Sequence, residues 1–454
     1  MKAHTLFTHV PNRWVFSCLL WVLIFVFALV LHGADPSHQE IIILAGGDAQ
    51  GVLEPCGCSS GQLGGISRRD TLIDALSKQN PARTLLLDKG GFIREPGLQS
   101  TIKAEFLIRA YSQIGTRILG LAPGDLFQGA SRVLAMSKDQ QVEILCSNIQ
   151  VAGRQNNFRK FTTRTLGKEP QNLTVGLTAV IGKNAIPELG VQDSLSIEDP
   201  VLALRPVIEK LKPRVNILIT LVHDGEDEAR RIAREIPQID LIFFGHDADS
   251  PTFRPIREGS TRLISSGTMG RHLAVTRIKF DANKKIEGIT LDLKPLDAKL
   301  NKSTRMESLL QEYQDRLSDL QLLERRSPPP HPNGSYSGSQ ACQSCHQSAF
   351  SAWKKSAHSH AYQILTRENH ARDPECAPCH STGFHYAGGF LSPEKTPHLL
   401  HVGCESCHGP GQSHVDSPRL YPMKPVAERT CRTCHNSTQT PHFQFKAFFE
   451  RIKH

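Results

Sequence analysis

Four copies of Cys-x-x-Cys-His stand between residues 342 and 435, and they restrict what the C-terminal part of the chain can fold into. They are Cys342-Gln-Ser-Cys345-His346, Cys376-Ala-Pro-Cys379-His380, Cys404-Glu-Ser-Cys407-His408 and Cys431-Arg-Thr-Cys434-His435. Two thiols three positions apart can form thioether bonds to the two vinyl groups of one porphyrin, and the next His then lies under the iron as proximal ligand. Zinc sites do not require a His directly after the second Cys. The repeats also use most of the chain's 12 cysteines. The motifs therefore predict four covalently bound c-type haems. With about 30 residues per haem, this segment cannot bury a conventional core, so the porphyrins are expected to form its apolar centre. Without haem it should be unfolded, like small metal-dependent domains.

A six-coordinate haem needs a second axial ligand. His358, His360, His370, His385, His398, His401, His414, His442 and His454 are available, an excess over four irons, so counting alone permits bis-His ligation throughout. Bis-His irons have no open site and exchange one electron with little ligand rearrangement, which makes electron transfer the default function. The segments Trp353-Lys-Lys-Ser356-Ala-His358-Ser-His-Ala361, Cys404 to His414, and Phe443 to His454 add a resemblance. Over nearly all of 338–454 the chain resembles the tetrahaem cytochrome c family of electron carriers from ammonia oxidisers. The resemblance implies His358, His414 and His454 as distal ligands, with His385, His398 or His401 as a fourth. Relatives in that family often leave one haem five-coordinate, where small nitrogen or oxygen species bind.

At 454 residues the chain is long enough for two folded domains. Near its start, Trp14 to Leu31 is almost wholly apolar, with Arg13 before it and Ala34-Asp35 after it. That pattern reads as a signal peptide or a membrane anchor over 1–35, and either outcome exports the rest. Export agrees with the motifs, since covalent haem attachment in bacteria takes place outside the cytoplasmic membrane. The expected location is periplasmic, soluble or anchored, with periplasmic redox proteins as partners. The formal charge of +9 gives little support to nucleic-acid binding. Haem propionates, partly offset by iron, remove on the order of 4 to 8 positive charges.

Residues 37–300 read as α/β. Ile41–Leu44, Thr84–Leu87, Val215–Ile219 and Leu241–Phe244 are short apolar runs suited to buried strands. Helix-like segments such as Arg68–Ser77 and Asp227–Glu235 lie between them. Ser303 to Arg326 has helical periodicity and reads as a docking helix rather than a coiled coil, because it spans only about three heptads. Ser327-Pro-Pro-Pro-His-Pro-Asn-Gly-Ser then marks a stiff, exposed linker within 301–335, before a haem region at 336–454.

Seven segments of the first domain carry a second resemblance. They are Leu44-Ala-Gly-Gly-Asp48-Ala-Gln50-Gly51, Leu63 to Arg69, Leu85-Leu-Leu-Asp88-Lys-Gly90-Gly91, Gly124-Asp125-Leu126, Ser147-Asn148-Ile149, Val222-His223-Asp-Gly225 and Phe244-Gly245-His246. In this order they resemble the metallophosphoesterase domain of 5′-nucleotidases, in which two bridged metals activate water against phosphate. The resemblance implies layered sheets flanked by helices, with a site at the strand ends. Several of that family's ligands are replaced. Gln50 stands for a His, Gly91 for the bridging Asp, Asp125-Leu126 for Asn-His, and Ala248 for the last His. A two-metal clamp is therefore not expected, and the domain reads as degenerate. Asp48, Asp125, His223 and His246 remain as candidate ligands for one divalent metal.

Cys56-Gly-Cys58 and Cys146 are unassigned thiols in an oxidising compartment. A self-bonded Cys-Gly-Cys is strained, which leaves pairing with Cys146, soft metal ligation, a redox dithiol or a structural thiol pair. Three functions follow from the whole chain. Periplasmic electron transfer leads, with the first domain as a docking or ligand-binding module. The alternatives are an oxidoreductase acting on a small inorganic nitrogen or sulfur species at an open haem, and a metal-dependent phosphoester hydrolase fused to a cytochrome.

Overall fold

The structure, a computed structural model, describes residues 39–55, 60–151, 158–185, 195–246 and 250–454. The apolar segment near the start, Cys56, Cys58 and Ala248 lie outside the described residues. Among the described residues no helix is long and apolar enough to cross a membrane.

In chain order the strands are β1 (Gln39–Gly46), β2 (Thr84–Asp88), β3 (Ile118–Leu119), β4 (Glu143–Ile144), β5 (Ile149–Val151), β6 (Phe161–Leu166), β7 (Leu173–Ile181), β8 (Leu195–Ile197), β9 (Ile217–His223), β10 (Leu241–Phe244), β11 (Ile256–Glu258), β12 (Thr261–Ile264), β13 (His272–Phe280) and β14 (Ile286–Pro295). They form two six-stranded sheets ordered β14-β13-β1-β2-β3-β4 and β11-β12-β10-β9-β7-β6, and a small β5-β8 pair. Strands β1 to β4 run parallel, as do β7, β9, β10 and β12, while the remaining edge strands are antiparallel.

The two sheets pack face to face, and residue alternation shows why. In β1, Ile41, Ile43 and Ala45 enter the core between the sheets with Ile219, Leu221 and Phe243. Their neighbours Ile42 and Leu44 face the opposite way, under helices 66–77, 98–114 and 304–319. In β9, Leu218 and Val222 lie under helices 200–211 and 226–235. An apolar run buried on both faces thus becomes a central strand of a four-layer α/β/β/α stack. The four runs expected as strands fall in β1, β2, β9 and β10, and the expected helices run Ile66–Ser77 and Glu226–Glu235.

The docking helix runs Thr304–Asp319 and buries Met306, Leu309, Leu310, Tyr313 and Leu317 against helix 98–114. Two residues of the chain after it, Leu322 and Leu323, stay buried. The segment expected as an exposed linker is largely exposed, and it also runs along the C-terminal region. The Ala387 amide donates to Pro329 O at 2.8 Å, and the Gln412 amide donates to Ser335 O at 3.1 Å. Proline supplies no amide of its own, so here its carbonyl makes the contact.

From Ser339 onward the chain forms short helices joined by loops. One small apolar cluster, Leu323, Tyr362, Leu365, Ala377, Phe384, Phe390 and Leu399, sits beside the second Cys-x-x-Cys-His motif. This differs from a region centred on porphyrins alone, because that motif has protein packing of its own.

Candidate functional site

The attachment cysteines of different motifs converge. The Cys342 and Cys404 thiols share a hydrogen bond, as do Cys379 and Cys434. Cys407 lies within electrostatic reach of Cys431 and Cys434. Motif one therefore adjoins motif three, three adjoins four, and four adjoins two. Groups bound at these positions form a continuous series.

The histidines sort themselves by pairs. Ring centres of His346 and His414, of His358 and His435, and of His408 and His454 are each 6.2 Å apart. Two imidazoles bonded to one iron from opposite sides stand roughly 6 Å apart, centre to centre, given metal–nitrogen bonds of about 2 Å. Each pair holds one attachment histidine and one of the three distal candidates His358, His414 and His454. Several rings are fixed by their Nδ1 atoms: His408 on Lys424 O at 3.1 Å, His414 on Tyr421 O at 2.9 Å, His454 on Ile452 O at 3.0 Å and His435 on Thr440 Oγ1 at 3.1 Å. Such bonds set the tautomer and leave Nε2 for a metal.

The fourth attachment histidine differs. His380 is oriented the same way, Nδ1 on Ala361 O at 2.6 Å. Yet among the described residues no histidine faces it at the spacing of the other pairs. The three candidates for a fourth distal ligand are engaged elsewhere. His385 packs on Phe384, His398 lies against Gly338, and His401 accepts the Tyr362 amide at 3.0 Å while facing His360.

A cavity of about 830 Å³ opens here, lined by Cys376, Cys379, His380, Cys434, His435 and His358, and also by Gln62, Met269 and Arg271 of the first domain. Its volume and donor set suit c-type haem: thiol pairs beside imidazoles already oriented by a carbonyl or hydroxyl. The domains meet beside it through polar contacts. Gln99 Nε2 donates to Asp373 at 2.8 Å, Gln314 Nε2 bonds His370 Nδ1 at 2.8 Å, and Lys103 pairs with Glu375. His370, Asp373 and Cys376 have the spacing of a metal site, but a thioether bond at Cys376 removes its thiolate.

Sequence reasoning missed Glu405, inside the third motif. Its buried carboxylate accepts amides from Ser337 at 2.9 Å and from Gly338 and Gly411 at 2.7 Å each. The only sequence signal was an acid between the two cysteines.

In the first domain, Asp48, His223 and His246 gather at the ends of β1, β9 and β10, where an α/β sheet places its site. His223 Nε2 and His246 Nδ1 are 3.1 Å apart. His223 is fully buried, and burial first, then the nearby Lys89 charge, holds its pKa well below the usual range. A carbon side chain at Gly91 would stand 2.6 Å from Asp48 Oδ1 and 3.1 Å from His223 Cε1. The bridging acid's position is thus central, and empty of any side chain.

Asp125 is a correction to the expected ligand set. Its Oδ1 accepts the Phe92 and Ile93 amides at 2.7 and 3.0 Å, and its Oδ2 accepts those of Gly91 and Ala122, both at 2.9 Å. Burial pushes this carboxyl up to about 7, while the four amides pull it down. Protonation would cost one of four acceptor positions, so the ionised form satisfies the cage. No lone pair is left for a metal. Asp88 is likewise taken by Arg69 at 2.8 Å, and Gln50 donates to Asp48 Oδ2 at 3.1 Å. Among the described residues no third ligand joins the imidazole pair at metal-binding spacing. Among the described residues the family's two-metal ligand set is incomplete in this cleft. Cys146 is a free buried thiol that donates to Asn148 Oδ1 at 3.4 Å, so a disulfide to it is not formed.

The fold is therefore a metallophosphoesterase-type α/β stack, and the site beside it is built for covalent haem. Comparisons with known proteins agree in both halves. Residues 341–409 match the family model described as Cytochrome c554 and c-prime. Cytochrome c-554 of Nitrosomonas europaea is 30% identical over 134 residues, which span 22% of this chain and 57% of that protein. The 5′-nucleotidase of Bos taurus is 24% identical over 269 residues, 55% of this chain and 46% of that protein. The chain thus spans about half the length of the curated relatives it matches. A solved 5′-nucleotidase precursor from Thermus thermophilus aligns with a TM-score of 0.54 at 15% identity, over 64% of this chain and 61% of that one. The chain joins a cytochrome c-type region to a 5′-nucleotidase-like domain.

Proposed function

We propose that this protein is an exported tetrahaem cytochrome that passes electrons along the series of motifs one, three, four and two, with the 5′-nucleotidase-like domain as a docking and ligand-binding module. The observation that carries this is the set of three imidazole pairs at one spacing, each across an attachment histidine. Haem supplies a one-electron couple at each position. The protein's part is to fix imidazoles on both faces, so that little rearranges when charge arrives. Export rests on the apolar segment over 14–31 together with the chemistry of haem attachment. Redox proteins of the periplasm are the partners of this reading, and the membrane is one where the segment is retained.

A second reading rests on His380. With no histidine opposite among the described residues and a cavity before it, His380 would hold a haem with an open position that could take a small inorganic nitrogen or sulfur species. Residues of both domains would then line the path to the iron. Hydrolysis of phosphoesters by a metal pair is disfavoured by the missing bridge and by the caged Asp125. Spectra of the oxidised protein test both: about one haem in four high-spin, shifting on addition of an exogenous ligand, supports an open iron. A wholly low-spin spectrum that no ligand alters removes the oxidoreductase reading and leaves electron transfer alone.

A further inference from the structure

Lys89 has no part in the haem site, and its course through the first domain is unusual. It follows Asp88 at the end of β2 and is 1% exposed. Burial of an ammonium is costly unless the surroundings need the charge. The stem runs first past Gly47, beside Asp48: a carbon side chain at Gly47 would come within 2.1 Å of Lys89 Cγ. It continues past Gly245, beside His246, where the same construction stands 2.8 Å from Cε and 2.9 Å from Nζ. The ammonium donates to Gly267 O at 3.2 Å. Two glycines flanking two of the candidate ligands therefore leave room for this lysine, and any other residue at either position would overlap it. Lys89 is also the largest source of positive charge acting on His223.

We infer that the ammonium of Lys89 is the resident cation of this cleft, standing in for the metal pair and excluding divalent ions from Asp48, His223 and His246. The geometry supplies the reason. A fixed unit charge within several Å of a dication, in a partly desolvated cleft, opposes its entry by more than a factor of about ten in affinity. The bridging acid that would offset the charge is absent at Gly91. The lysine's place between Gly47 and Gly245 is fixed by the backbone, so the cation it supplies to the cleft does not depend on metal supply. This deepens the reading of the domain as something other than a two-metal hydrolase.

The test uses the full-length, haem-loaded protein with Zn²⁺ and Mn²⁺ as probes. Non-haem metal per protein is measured after desalting, and the thermal midpoint is followed with each ion added. The wild-type protein is expected to retain no non-haem metal and to show no shift. Lys89→Met, which keeps the stem and loses the charge, is expected to gain Zn²⁺ affinity by about tenfold or more, and His223→Ala in that background abolishes the gain. Lys89→Gln, which keeps a donor for Gly267, serves the same purpose if the methionine variant does not fold. The inference is overturned if the wild-type protein holds one equivalent of metal that His223→Ala removes, or if folded charge-free variants gain nothing. Phosphodiester turnover is assayed alongside. Metal-dependent turnover by the wild-type protein sinks the reading of the domain, whereas metal uptake without turnover sinks only this inference.

Discussion

Removing one distal imidazole should convert one low-spin haem into a high-spin one, and His414→Ala is the cleanest case. Its ring faces His346 at 6.2 Å with planes 27° apart, and its Nδ1 is tied to Tyr421 O at 2.9 Å. An alanine methyl offers no lone pair, so the iron between them keeps only His346. In the wild-type protein one attachment histidine, His380, lacks an opposite imidazole, so the high-spin share is about one in four. The variant raises it to about two in four, a twofold change. Electron paramagnetic resonance and optical spectra of the oxidised protein read this share, and mass spectrometry confirms that all four haems remain attached. Added imidazole should restore the wild-type share, because the vacated position accepts a free ligand. His401→Ala is the control, expected to leave the spectra unchanged, since His401 caps the Tyr362 amide. An unchanged high-spin share in His414→Ala with full haem content would refute the pairing argument. So would a change of equal size in His401→Ala.

Other outcomes follow from single contacts. Arg69→Met leaves the buried Asp88 without its partner and should cost about 3–5 kcal/mol in urea unfolding of the first domain. Glu405→Ala orphans two buried amides and one half-buried one and should cost about 1–3 kcal/mol for each one left dry, read as a lower midpoint of the haem region. His223 is held neutral by burial, so below about pH 6.5 the unfolded chain binds a proton that the folded one refuses. Stability should therefore fall as pH drops through that window, by up to about 1.4 kcal/mol per pH unit. His223→Leu should flatten that slope, and an identical slope in the variant would rule out this source. Gly91→Asp should not restore hydrolysis: the residue has φ +79°, and its side chain would begin 2.6 Å from Asp48 Oδ1. A phosphodiesterase gain in that variant would contradict the steric argument.

What the sequence made legible was local chemistry. Cys-x-x-Cys-His spells its cofactor within five residues, and the apolar runs of β1 and β9 declare strands buried on both faces. The three histidines that face attachment histidines were singled out only through resemblance, since nine candidates leave the choice open. What stayed hidden depends on residues far apart in the chain. Asp125 looked like a ligand because its neighbours match a metal motif, yet three of the four amides that cage it come from Gly91 to Ile93, more than 30 positions away. Nothing in the sequence singled out Lys89, and only the glycines at 47 and 245 reveal that its stem is buried. The linker's composition gave no sign of its docking, which requires a carbonyl acceptor opposite Ala387.

The contacts between the halves bear on how the first domain would shape the haem site. Asp373 and Glu375 immediately precede Cys376, and both are held by side chains of the first domain, Gln99, Gln314 and Lys103. The attachment loop of the second motif is therefore positioned by helices 98–114 and 304–319 rather than by the haem region alone. That same motif is the one whose histidine faces no second imidazole among the described residues and whose cavity is walled by Gln62, Met269 and Arg271. An α/β stack of this kind gives the cavity a rigid wall, and a rigid wall is what an open haem position would need, because a loose one admits water and adventitious ligands. On this argument, disrupting the Lys103–Glu375 and Gln314–His370 contacts should leave the three paired haems spectrally intact. It should alter ligand binding only at the fourth, and a uniform effect on all four would separate the first domain from the iron's chemistry.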